Sequence, residues 1–210
     1  MKKVLIWIVL SSFICIVQAG AQEAETPKKV NPWKFTGSTS LNFTQTSYSD
    51  WAAGGTNGID GTVGTTMRLN YKKEKLLWEN TLIMGYGMKY QGSDRRKIDD
   101  KIDFTSKFGY LAFKNWYYTL QGNFRSQFDK GYAKYPVTDD AMFNSKFMSP
   151  AYITLSLGMD YKPCPDFSLV LSPVSSKFTL VLSDTLSNLG AFGVKSGRHS
   201  NYEFGSNLTA

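Results

Sequence analysis

Cysteine and histidine are almost missing from this chain: two cysteines and one histidine in 210 residues. Cys15 lies in an N-terminal apolar run, which leaves Cys164 alone in the remainder, so an intramolecular disulfide and a Cys/His metal cluster are both excluded there. Long apolar runs are also lacking after Val17, so no helix built from later residues has the roughly 20 apolar positions that cross a bilayer. A membrane location would therefore have to use strands. Basic stripes with interleaved aromatics are absent too. The 24 Lys and Arg residues are scattered singly along strands and turns, which argues against a nucleic-acid interface despite the positive charge.

What is present begins with an address. Met1-Lys2-Lys3 is a cationic start, Val4 to Val17 is an apolar run too short to span, and Ala19-Gly20-Ala21 is a small-x-small cleavage site. Residues 1–21 read as a signal peptide, residues 22–32 as a polar periplasmic leader with two prolines, and residues 33–210 as the folded domain. Removing Lys2 and Lys3 lowers the formal charge from +7 to +5. A lipid-attachment site at Cys15 is the weaker reading, since Ser12-Phe13-Ile14 lacks the small residue such a site wants before its cysteine.

From Trp33 onward the hydrophobic period is two. Trp33, Phe35, Leu41 and Phe43 alternate with Lys34, Thr36, Ser40 and Asn42, which is the signature of a strand with one apolar and one polar face. The pattern recurs over 59–71, 76–91, 98–113, 116–129 and 151–161. It is weaker across 167–182, where Pro173 interrupts it, and returns in a partial eighth strand at Tyr202, Phe204 and Leu208. The connections at 72–75, 114–115 and 162–166 are tight, whereas 49–58, 130–150 and 183–199 are long, and 92–97 is intermediate. Short turns on one rim, long loops on the other and aromatics near strand ends point to an antiparallel up-and-down transmembrane β-barrel. The expected fold is thus all-β, with seven clear strands and an eighth that breaks off near Ala210.

Several of these segments resemble one family: Phe43 to Gly55 (FTQTSYSDWAAGG), Trp78 to Gly87 (WENTLIMGYG), Arg96 to Asp103 (RKIDDKID), Trp116 to Phe128 (WYYTLQGNFRSQF) and Phe147 to Pro163 (FMSPAYITLSLGMDYKP). It is a Bacteroidota outer-membrane β-barrel family catalogued as a domain of unknown function. Leu171-Ser172-Pro173, Lys177-Phe178-Thr179 and Gly190 to Val194 resemble it further along. The resemblance implies a cell-envelope barrel in a Gram-negative bacterium and supplies no activity, substrate or cofactor. It also implies further strands, so this chain looks C-terminally shortened relative to the family, or else closes with a small strand number.

Candidate sites follow from the faces. Inward-facing charges alternate in sign, and closing the turns with both apolar faces outward sets Arg68 against Glu79, Lys89 against Asp99 and Lys101 against Asp129, with Asp103 diagonal to Arg125. These are expected as lumen ion pairs. Trp51, Gly54 and Gly55 mark the most distinctive external loop, where adjacent glycines suit either a tight turn or a ligand lip. His199 stands beside Ser200, but adjacent strand residues point to opposite faces and cannot form a base–nucleophile pair with each other.

The leading expectation is a non-enzymatic outer-membrane barrel, structural or weakly pore-forming, with a charge-paired polar lumen and no cofactor. Its partners would be outer-membrane lipid, lipopolysaccharide and the barrel-assembly machinery, with no nucleic acid. Two alternatives remain open at this point. A soluble lipocalin-like carrier would turn the apolar faces inward around a ligand, and a membrane-embedded lipid hydrolase would need His199 to reach a serine elsewhere.

Overall fold

A computed structural model describes residues 31–49, 55–92, 94–132, 142–164 and 167–210. Eight antiparallel strands form one sheet: β1 (Trp33–Thr46), β2 (Gly58–Lys73), β3 (Leu76–Gln91), β4 (Asp94–Phe113), β5 (Trp116–Ser126), β8 (Ala151–Cys164), β9 (Phe167–Leu180) and β10 (Ser200–Thr209). They lie in sequence order from β1 to β10, interrupted only by a small hairpin of β6 (Gly131–Tyr132) and β7 (Phe143–Ser145) that forms its own two-stranded sheet. One short helix, α1 (Asp184–Asn188), and a turn at Ala191–Gly193 occupy the long connection before β10. The chain is therefore all-β with an up-and-down meander, as its period-two pattern implies.

The turn at Lys114-Asn115 is as short as expected, and the connections over 72–75 and 92–97 are tighter than the sequence suggests. Lys73 pairs with Leu76, so the first hairpin turns on Glu74 and Lys75 alone, and Glu74 takes the positive φ of 51° that such two-residue turns require. Phe113 pairs with Trp116 across Lys114-Asn115, where Asn115 at φ 63° suits the left-handed region better than most side chains. The expected loop over 92–97 is mostly strand: Gln91 already pairs with Asp94.

Pro173 does not end its strand. β9 runs through it because the ladder bulges there: Leu157 pairs with Val174 but Met159 with Leu171, and Gly205 pairs with Ser175 but Asn207 with Ser172. The extra residue needs no ladder N–H, which is where proline is tolerated. The bulge also explains the weak alternation. Ser175, Lys177 and Thr179 share a face with Ser168, Val170 and Ser172, so the inward parity switches from even to odd across Pro173. Opposite the bulge stands Gly158, where a Cβ would overlap the Leu171 carbonyl and lie 2.6 Å from Ser172 Cα.

The only buried aliphatic cluster, among the described residues, sits outside the sheet's faces. Val181, Leu186 and Val194 are buried together with Phe143 and Ala191 packed against them, so the long connection after β9 folds down upon the β6–β7 hairpin. His199 ties it to the sheet through Nδ1 and the Val181 carbonyl at 2.8 Å.

Candidate functional site

Burial in this sheet is the reverse of a soluble protein's. On β8 and β9 the packed side chains are Ser156 (3% exposed), Asp160 (1%), Ser172 (3%) and Thr179 (1%), while Leu155 (47%), Leu157 (56%) and Phe178 (37%) stand in the open. Exposed apolar side chains continue over the whole sheet, from Phe35, Leu41 and Phe43 on β1 to Phe204 and Leu208 on β10. On β8 and β9 the polar face is the packed one, whereas the edge strand β1 is exposed on both faces.

The sheet curls toward that face, with β1 and β10 as its two unpaired edges. Lys162 on β8 reaches Glu79 on β3 at 2.5 Å, and Lys107 on β4 reaches Ser168 on β9 at 3.0 Å. Each pair spans three strand spacings, about 14 Å on a flat sheet. The sheet must therefore roll with its polar face inward.

At the short-turn end of that concave face, Glu79, Lys107, Asp160 and Lys162 interlock. Lys107 Nζ lies 3.1 Å from Glu79 and 2.8 Å from Asp160, and Lys162 Nζ lies 3.9 Å from Asp160. Ser168 donates to the second Asp160 oxygen at 2.6 Å. Two ammonium groups thus face two carboxylates, with each carboxylate shared. Lys162 escapes a reading of the sequence because Lys162-Pro163-Cys164 looks like a turn, and its strand position emerges only from pairing with β5 and β9.

The expected ion pairs fare unevenly. Arg68 faces Thr81, not Glu79, because the first hairpin draws Lys72 and Lys73 into the ladder and moves the register by two. Lys89 does not meet Asp99: β4 bulges at Ile98, and Lys89 stands 3.7 Å from its β2 neighbour Asp60 instead. Lys101 lies 3.9 Å from Asp99 on its own strand, and Asp129 is elsewhere. After β5 the chain bends over the apolar face, so that Asp129 accepts from the Tyr86 hydroxyl at 3.1 Å and its amide donates to Asp100. Asp103 and Arg125 are directly opposite, with 3.2 Å between them, where a diagonal relation was expected. One more pair, Lys177 with Glu203 at 3.1 Å, joins β9 to β10.

Of the external loop, Trp51 and Gly54 lie outside the described residues. Gly55 packs so closely against Tyr48 that a Cβ would fall within 2.6 Å of its ring, and Asn57 accepts from the Tyr48 amide at 2.6 Å. His199 Nε2 is 3.5 Å from Asp184.

The short-turn rim carries a belt of rings. Trp33 lies 4.9 Å from Tyr71 and 5.8 Å from Trp78, Phe113 lies 6.1 Å from Trp116, and Trp116 lies 4.9 Å from Tyr161. Each sits at the same end of its strand. Tyr90, Phe178 and Tyr202 mark the opposite end, the last two 4.9 Å apart.

No curated protein and no solved structure matches the chain. Residues 43–132, from the second half of β1 to β6, match the family model described as "Protein of unknown function (DUF3078)".

Proposed function

We propose that this chain is a non-enzymatic β-barrel protein of the outer membrane in a Gram-negative, Bacteroidota-type cell envelope, exported by residues 1–21 and acting structurally or as a narrow pore. The reversed burial carries the reading. A sheet that packs Ser156, Asp160 and Thr179 while exposing Leu155, Leu157 and Phe178 would lose solubility in water, but lipid is the solvent such a surface suits. Dimensions agree with it. From Trp78 to Tyr90 the strand rises about 40 Å, or roughly 30 Å along the membrane normal at a tilt near 40°, which is one hydrocarbon thickness between two aromatic girdles. A lipocalin-like carrier needs the opposite face enclosed. A hydrolase needs a serine at His199, whose ring instead meets the Val181 carbonyl and Asp184.

The partners that follow are outer-membrane lipid, lipopolysaccharide and the machinery that inserts barrels. Fractionation of intact cells with external protease tests address and fold together. The protein is expected in the outer-membrane fraction, extracted only by detergent, with cleavage confined to the long loops. A mature chain that stays dispersed at high concentration without detergent would overturn the proposal.

A further inference from the structure

The apolar face carries a polar notch near the short-turn rim. Asn80 on β3 is directly opposite Ser106 on β4, with Trp78 opposite Phe108 on one side and Leu82 opposite Phe104 on the other. The polar pair thus lies between two rows of larger side chains, each about 7 Å away along the strand. Hydrogen bonds hold it in place. The Trp78 indole N–H donates to the Ser106 hydroxyl at 2.9 Å, that hydroxyl donates to Asn80 Oδ1 at 2.8 Å, and Asn80 Nδ2 donates to the Leu69 carbonyl at 3.1 Å. A carboxamide nitrogen carries two N–H groups. The second one on Asn80 has no partner among the described residues.

Asn80 also lines a 280 Å³ groove on this face. The other lining residues are all aromatic or apolar, with Trp33 and Trp78 at the rim end and Leu82 and Phe104 at the deep end. Such a lining suits a hydrocarbon chain, and a spare donor within it is costly unless the occupant brings an acceptor. Depth narrows the choice of acceptor. Trp78 belongs to the short-turn girdle, which sits at headgroup level. Asn80 is one two-residue step deeper, about 5 Å along the membrane normal at a tilt near 40°. The lipid groups that accept hydrogen bonds just beneath the headgroups are the ester carbonyls joining acyl chains to glycerol. On the rim side, exposed Lys73 follows Tyr71 on the same face, next to Leu76, at the level where a phosphate would stand.

We infer that this groove is a binding site for one glycerophospholipid of the periplasmic leaflet, with an acyl chain along Leu82 and Phe104 and its ester carbonyl accepting from Asn80. The inference rests on the reading of the sheet as an outer-membrane barrel with its short turns in the periplasm. Ser106 is the positioning residue: by occupying Asn80 Oδ1 it keeps the amide nitrogen on the Leu69 side, where the groove lies.

Native mass spectrometry of the mature protein, folded in nonionic detergent and mixed with dioleoyl phosphatidylethanolamine or with its dialkyl ether analogue, tests it. The two lipids share headgroup and chain length, and only the diester has carbonyl oxygens. One retained diester per protein is expected, at about threefold or more the occupancy of the diether, the factor that one net hydrogen bond contributes. Asn80→Leu should abolish that preference with heat-modifiability and strand circular dichroism intact, since leucine suits a lipid-facing position. Ser106→Ala should reduce the preference, and Thr65→Val, elsewhere on the same face, should leave it unchanged. Equal retention of the two lipids by the unaltered protein, no retained phospholipid, or lipopolysaccharide retained in its place overturns the inference and leaves the barrel reading standing. A chain that proves dispersed without detergent removes the barrel reading and this inference with it.

Discussion

At the residue scale, the most consequential side chain is Lys107. It lies within salt-bridge distance of both Glu79 and Asp160, and its partner Asp160 has only 2% of its side chain exposed. Removing one member of a buried ionic set strands the others, at a cost of about 3–5 kcal/mol, well above what an exposed pair contributes. Lys107→Met should therefore lower the unfolding free energy of detergent-folded protein, read from urea titration, by that much. Lys177→Met, whose ion pair with Glu203 is half exposed, should lower it by less than about 1 kcal/mol. Similar losses for the two variants would mean that the interlocked set contributes no more than a surface pair. Glu79 and Lys107 were readable as inward from alternation alone, but their partnership with Asp160 and Lys162 was not. It depends on how tightly the sheet curls, and no local pattern encodes that.

At the element scale, register decides which charges meet. The structure places Asp60 opposite Lys89 and Asp103 opposite Arg125, with Arg68 opposite an uncharged threonine. Double-mutant cycles should give coupling energies of about 0.2–1 kcal/mol for Asp60/Lys89 and for Asp103/Arg125, and none for Arg68/Glu79. Coupling between Arg68 and Glu79 alone would restore the longer-turn register. Strand identity and facing were legible because a period of two persists for 10 residues or more in nearly every element. Register was not, because it hangs on turn length, and a run such as Lys72-Lys73-Glu74-Lys75 fits a four-residue connection as readily as a two-residue one. A slip of two keeps every apolar residue on its own face, so the hydrophobic pattern cannot report it. The bulges at Ile98 and Pro173 add a second ambiguity. Each extra residue exchanges odd and even positions, which is why β9 looked like two fragments and why Asp99 missed Lys89.

At the scale of the whole molecule, the two rims differ in kind, and this gives the sheet a direction. The β2–β3, β4–β5 and β8–β9 connections are short and share one rim with the ring cluster around Trp33 and Trp116. The other rim bears the β6–β7 hairpin, α1 and the small aliphatic cluster around Val181 and Leu186. Barrels that assemble from the periplasm leave short turns on that side, since long polar loops must cross the membrane last and end outside. Cys164, exposed at the last pairing of β8 before the β8–β9 connection, is a built-in reporter of which rim is which. A bulky maleimide that cannot pass the outer membrane should leave Cys164 unlabelled in intact cells and label it once that membrane is permeabilised. A cysteine placed at Ser196, in the long connection after α1, should behave in the opposite way. Labelling of Cys164 in intact cells would invert the molecule, putting the aromatic belt of Trp33, Tyr71 and Trp78 at the outer leaflet. Protection of both sites until permeabilisation would instead mean that neither rim reaches the cell surface, and that the exposed apolar face is covered by something other than the outer-membrane bilayer.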